Sequence, residues 1–187
     1  MLKTACEVIA AQGFGHTRTV DIARAAGVSQ ALLFYHFETK DGLFAQAFAY
    51  AARRHLDALA GVERSPRPPL DRLRALLRLC SPGGSPEGWR LWIDAWAESM
   101  RSKDLEETSR RLDVQGRLVM RGIIEAGVAS GDFTCDDPDD ATWRIFALSD
   151  GLAIQLNVHG RVLSRRRASR LVRTAAAREL GLTAEDL

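Results

Sequence analysis

Gln30, Ala31 and Leu32 open a short helical run that restarts directly after Gly27. A glutamine amide can donate to and accept from one adenine edge, and small apolar groups suit thymine methyls, so this trio could read bases. Trp89, Trp92 and Trp96 recur at helical spacing with Met100 one turn further. Such a stripe either walls a cavity for an apolar or cationic small molecule or packs as plain core. Catalysis has no comparable support, because His16, His36, His55 and His159 are scattered without a nucleophile, base or metal companion. Cys6, Cys80 and Cys135 are odd in number and far apart, which argues for buried or incidental thiols, with a redox sensor as the alternative. The carboxylates of "DFTCDDPDD", residues 132–140, suit a turn and a helix start better than a metal ion. The sequence therefore predicts no catalytic residue, no metal and no cofactor.

The elements that must position these residues are helical, since apolar spacing of 3.6 dominates and strand alternation is nearly absent. Leu2, Ala5, Cys6, Ile9 and Ala10 share one face of a first helix that Gly13 ends. A second helix is expected over Thr19–Ala26, a sharp turn at Gly27, and a third helix from an N-cap at Ser29 to Phe37. Leu33 and Phe37, one turn apart, point inward, which leaves the other positions of that helix outside. Ala23, four residues before Gly27, lets the two helices approach, and Ile22, Val28 and Leu33 fix their angle: a helix-turn-helix, whose second helix the major groove can admit. An ordinary helical corner would share this hinge.

Thr39 caps a fourth helix carrying Leu43, Phe44, Ala47, Phe48, Ala51 and Ala52 to about Leu59, before the breakers of "GVERSPRPP", residues 61–69. Leu70, Leu73, Leu77 and Cys80 mark another helix, ended by "SPGGSP" at 81–86, and the tryptophan helix follows. Further helices are expected over about 104–130, 139–159 and 164–180. The expected fold is all-α, with a three-helix helix-turn-helix head, a connecting helix, and a helical ligand-binding and dimerisation body. The domain division falls at 1–48 and 49–187.

With 187 residues the chain can bury a real core, and no apolar run approaches the roughly 20 residues that span a bilayer. That pattern and the absence of a secretory start predict a cytoplasmic protein with no membrane partner. The net charge of +2 is too small to imply nucleic-acid binding by itself, so any such binding depends on local placement.

The segment "TVDIARAAGVSQALLFYHFETKDGLF", from Thr19 to Phe44, resembles the DNA-binding head of the TetR (tetracycline repressor) family. Asp21-Ile22-Ala23, Ala26-Gly27-Val28-Ser29, Phe37 and Lys40-Asp41 through Leu43 fall in register, and "AAQGFGHT" is similar to that family's first-helix ending. In the body, "WRLWIDAWAESM", "GDF" and "DGL" are similar to the choline-responsive repressors of the betaine pathway. The resemblance implies phosphate contacts from Thr19, Tyr35, His36 and Lys40, whose hydroxyl, imidazole, ammonium and helix N-terminal N–H groups suit phosphate oxygens. It adds Met120, Ile123 and Phe146 as pocket candidates beside the tryptophans. Three departures stand out. Phe34 replaces a usual tyrosine, so a phosphate-binding hydroxyl is missing. Arg18 stands where Ser or Thr is common, as a phosphate contact or a surface charge. The chain starts within the first helix without the basic arm many relatives carry, which implies either fewer backbone contacts or a start placed too late.

The implied partners are a double-stranded DNA operator, a second copy of the chain and an unknown small-molecule effector. The 139–159 helix carries Trp143, Ile145, Phe146, Leu148, Leu152, Ile154, Leu156 and Val158, more apolar surface than one core can use. Ala168, Leu171, Val172 and Ala175 offer a matching face on the last helix, so a homodimer through the last two helices is expected. The resulting reading is a ligand-responsive transcriptional regulator. A helical interaction module without an effector and a thiol-based sensor are the alternatives.

Overall fold

The computed structural model describes residues 1–84, 86–159, 163–183 and 185–187, with residues 86 and 87 described by their backbone alone. Ser85 of the 81–86 breaker run lies outside the described residues. Among them the regular elements are all helical: α1 (Leu2–Gln12), α2 (Thr19–Ala26), α3 (Gln30–Phe37), α4 (Lys40–Glu63), α5 (Pro69–Leu79), α6 (Pro86–Ser99), α7 (Lys103–Ser130), α8 (Pro138–Ile154) and α9 (Arg165–Glu179). A π-helical turn, Gln155–His159, follows α8, and there the Asn157 side chain donates to the Ala153 carbonyl at 2.8 Å. No described helix is long and apolar enough to cross a membrane.

The chain packs as two compact units. The first comprises residues 1–54 and 90–113. Its core is built on Ile9, Phe14, Ile22, Leu33, Leu43 and Phe48, all buried. Phe14 meets Phe44 and Phe48 edge-on, with ring centroids 5.6 and 6.3 Å apart, and Trp92 sets its ring against Phe48 at 5.0 Å. Edge-to-face contacts of this kind add about 0.5–1.5 kcal/mol each beyond the area they bury. The α1–α2 loop is fixed by α6: the Phe14 backbone N–H donates to the Asp94 carboxylate at 2.7 Å.

The second unit comprises residues 55–89 and 114–187. Leu59, Leu73, Leu76, Met120, Ile123, Ile124, Ile145 and Val172 are among the side chains that form its core. The α4 helix runs past its expected end near Leu59, through Gly61 to Glu63. Two contacts explain the extension: Val62 packs on the core, and Arg72 donates to the carbonyls of Val62 (3.2 Å) and Glu63 (2.8 Å), satisfying acceptors a helix end leaves open. The α6 helix stops at Ser99, so Met100 lies just past the tryptophan helix.

The acidic run has a structural task. Asp137 accepts from the backbone N–H groups of Asp139 and Asp140, both at 3.0 Å, and Pro138 occupies the first helical position. Asp140 and Glu179 then flank Arg144, at 3.1 and 2.8 Å, and Glu179 ties α9 to α8. On α9, Ala168 and Val172 are buried within the chain's own core, so of the four residues expected to face a second copy only Leu171 and Ala175 keep exposed surface. The reason is the pairing of α9 with α8, which uses up the apolar side of the shorter helix.

Candidate nucleic-acid interface

The turn between α2 and α3 is built by backbone chemistry that the local residue types dictate. Gly27 adopts φ 66° and ψ 29°, a left-handed conformation that costs an L-residue about 1–2 kcal/mol and glycine nothing. Its N–H reaches Arg24 O at 3.2 Å and the Val28 N–H reaches Ala23 O at 3.0 Å, closing the end of α2. Two residues on, the Ser29 hydroxyl accepts from Leu32 N at 3.1 Å and starts α3. Leu33 and Phe37 are buried, at 0% and 8% exposure, so they anchor α3 to the head.

The opposite side of α3 is open. Gln30, Ala31 and His36 are exposed, and so are Leu32 (42%), Phe34 (37%) and Tyr35 (81%). Large apolar side chains left outside on an eight-residue helix call for a partner surface. Gln30 does not hang free: its Nε2 donates to the Thr19 hydroxyl at 2.8 Å, which joins the first residue of α3 to the first residue of α2. That bond leaves the second Nε2 proton and Oε1 available, the donor and acceptor that adenine's N7 and N6 groups require. Thr19 is itself largely buried. Its hydroxyl thus holds Gln30 in place, a task that sequence spacing does not reveal.

Tyr35 and His36 stand next to each other, ring centroids 5.5 Å apart. Lys40, the first residue of α4, holds its ammonium 4.9 Å from the Phe44 ring centroid. Neither Lys40 nor Arg18 has a carboxylate partner among the described residues, whereas Arg24 is engaged by Asp21 at 3.5 Å. A lysine in the first turn of a helix is unfavourable toward the helix dipole, and an incoming phosphate reverses that balance. Phe34 is exposed, so its missing hydroxyl is missing from the outer face of α3.

The effector candidates divide between the two units. Trp92 and Trp96 lie half-buried in the first, with ring centroids 6.1 Å apart, and Met100 is 78% exposed there. In the second, Trp89 donates from its indole nitrogen to Ser81 O at 2.9 Å, Met120 and Ile123 are fully buried core, and the Phe146 ring packs against the backbone of Gly116. Asp94 belongs to no motif that its sequence neighbourhood declares. A lone carboxylate between Trp92 and Trp96 was the available signal, and its role is to hold the turn leading into the helix-turn-helix. Burial, aided by the charge of Asp150, pushes the Cys80 thiol up to about 12, and burial also raises Cys6 and Cys135, a direction that disfavours the thiolate.

A helix-turn-helix whose second helix is anchored by Leu33 and Phe37 and bares its outer face is the arrangement of a DNA-binding regulator. Comparison with known proteins makes that class specific. Residues 1–47 match the family described as bacterial regulatory proteins of the tetR family, and residues 69–181 match the C-terminal domain of BetI-type transcriptional repressors. The regulator BetI of Agrobacterium fabrum is 31% identical over 179 residues, covering 92% of this chain and 82% of that protein. CymR of Pseudomonas putida, another helix-turn-helix regulator, is 23% identical over 155 residues, covering 83% and 76%. Among solved structures, a transcriptional regulator from Saccharomonospora viridis in complex with choline aligns with a TM-score of 0.84 at 25% identity, covering 96% of this chain and 94% of that one. A TetR regulator from Haloarcula marismortui shares the fold at a TM-score of 0.85 and 22% identity, covering 96% and 95%. The chain belongs to the TetR family of bacterial transcriptional regulators, in its BetI-type repressor branch. Its relatives are regulators of transcription and not enzymes; as a family they bind operator DNA, act as dimers and respond to small molecules.

Proposed function

We propose that this repressor grips a palindromic operator as a homodimer and releases it when a small molecule binds the body. Each α3 enters a major groove, Gln30 reads an adenine, Ala31 and Leu32 meet thymine methyls, and the backbone N–H of Thr19 at the start of α2 stands against the phosphates with the side chains of Tyr35, His36 and Lys40. The observation that carries this reading is the open outer face of α3 together with the Gln30–Thr19 bond. Dimerisation through the last two helices is supported by an exposed line of Trp143 (50% exposed), Ala147 and Gly151 on α8, by Val158 (58%) in the π-helical turn that follows it, and by the exposed Leu171 of α9. The protein works in the cytoplasm, where its operator is.

For the effector, Trp92 and Trp96 supply aromatic faces suited to an organic cation, and the choline-bound relative favours a quaternary ammonium. Because α6 also carries Asp94, a ligand that displaces the tryptophans disturbs the hold on the α1–α2 loop. A coupling of about 1–3 kcal/mol is enough to change operator affinity 5- to 150-fold. Gel retardation of the DNA upstream of the chain's own coding region tests both halves. A complex of two chains per site is expected at low salt, and choline should dissociate it. No retardation of any palindrome sinks the DNA reading, and a complex indifferent to choline sinks the cationic-effector reading.

A further inference from the structure

A groove within the second unit has the chemistry of a ligand site. It encloses about 260 Å³ between the end of α5, the loop that follows it and α9. Its floor is apolar: Leu77 and Val172 are both nearly inaccessible. Its polar groups are donors. Arg78 and Arg173 line it, both exposed and neither with a carboxylate partner among the described residues. Ser81 and Ser169 meet hydroxyl to hydroxyl at 2.6 Å, and Ser81 Oγ also accepts from Gly83 N at 3.3 Å. One hydroxyl proton lies between the two serines. The other has no acceptor among the described residues, so it is free to meet a ligand oxygen. Among the described residues no carboxylate lines the groove.

The walls are held before any ligand arrives. The Cys80 carbonyl takes a hydrogen bond from Ser149 Oγ at 2.8 Å, the Ser81 carbonyl takes one from the Trp89 indole at 2.9 Å, and Gly84 N closes the turn on Ser81 O at 2.9 Å. A fixed loop loses little freedom on binding. Arg78 also has an ordinary role, because a cation in the last turn of α5 suits the helix dipole. Arg173 has no such reason, since α9 runs on to Glu179.

We infer that this groove binds a small organic carboxylate, its oxygens between Arg78, Arg173 and the serine hydroxyls and its short apolar body on Leu77 and Val172. The volume is below the roughly 300–1,000 Å³ of sites for drug-sized ligands, which limits the ligand to a few carbons beyond the carboxylate. Trp89, bonded to the loop, reports occupancy, and because α6 begins at Pro86 the ligand bears on the start of the tryptophan helix. The inference does not depend on the DNA reading.

The test titrates the full-length protein with hexanoate, with hexan-1-ol as the uncharged match and inorganic phosphate as the charge without a body, by calorimetry and by tryptophan fluorescence in wild type and Trp89→Phe. Saturable binding of hexanoate, at least about tenfold tighter than hexanol and weakened about tenfold or more in Arg78→Ala/Arg173→Ala, is expected. The fluorescence response should vanish in Trp89→Phe while the heat remains. Both arginines are exposed, so the double variant should melt like wild type and retain operator binding in the absence of the acid. Hexanoate binding no better than hexanol, binding indifferent to the arginines, or phosphate bound in preference to hexanoate each overturns the assignment.

Discussion

The hydrogen bond between Thr19 and Gln30 makes a quantitative claim about how bases are read. At 2.8 Å it is a good neutral hydrogen bond, and it fixes which side of the Gln30 amide faces outward. Gln30→Ala removes a contact to adenine worth about 1–3 kcal/mol of discrimination, or roughly 5- to 150-fold against the wrong base. Thr19→Val keeps the shape of the buried side chain and removes the acceptor, so Gln30 remains but must order itself on binding. A net neutral hydrogen bond is worth about 0.5–1.5 kcal/mol, so Thr19→Val should lower discrimination about 2- to 13-fold with Gln30 present. In the Gln30→Ala background the same change should do almost nothing. Fluorescence anisotropy with the selected palindrome and its adenine-to-guanine variant, at one fixed salt concentration, completes the double-mutant cycle. Additive effects of the two substitutions, with a coupling near zero, would refute the claim that Thr19 orients Gln30, even if both residues matter singly.

Other consequences are as concrete. Lys40→Ala should weaken binding to cognate and scrambled duplexes alike and reduce the slope of log affinity against log salt by about one, measured by anisotropy across a salt series. Gly127→Ala should destabilise the second unit, because a methyl at that position would intrude on the buried Phe133 ring. Overpacking of this kind costs about 1–3 kcal/mol, or roughly 2–12 °C of melting temperature in a chain of this length. His55 is held below its ordinary value by burial. Its unfolded form therefore takes up a proton at higher pH than the folded form does, so stability should fall as pH drops below about 6.5 and be unaffected above it. Urea denaturation from pH 8 to pH 5 measures this, and His55→Asn should flatten the dependence.

What the sequence made legible was local. The bounds of α2, the αL turn at Gly27, the Ser29 cap and the inward pair Leu33 and Phe37 are set by residues within one or two turns of each other, so spacing and residue type suffice. The acidic run likewise declared itself a helix start through Asp137 and Pro138. Contacts between distant parts of the chain were not legible. The bond from Phe14 to Asp94 joins positions 80 apart, and the Arg72 contacts that carry α4 past Gly61 join side chain to backbone across a loop. Apolar spacing also could not say which burial partner a face would find: Ala168 and Val172 found α8 of their own chain. For the candidate site, residue types on α3 could be read off directly, whereas the Thr19–Gln30 pairing arises from the angle between two helices.

Hydroxyl-radical footprinting of the repressor on its own upstream DNA shows directly whether α3 is the element that meets the duplex. Two protected patches are expected, their centres one helical turn, about 34–36 Å, or a multiple of it apart, both lost when Gln30, Leu32 and Tyr35 are together replaced by alanine without loss of folding. A single patch, or protection that survives removal of those three side chains, would contradict it.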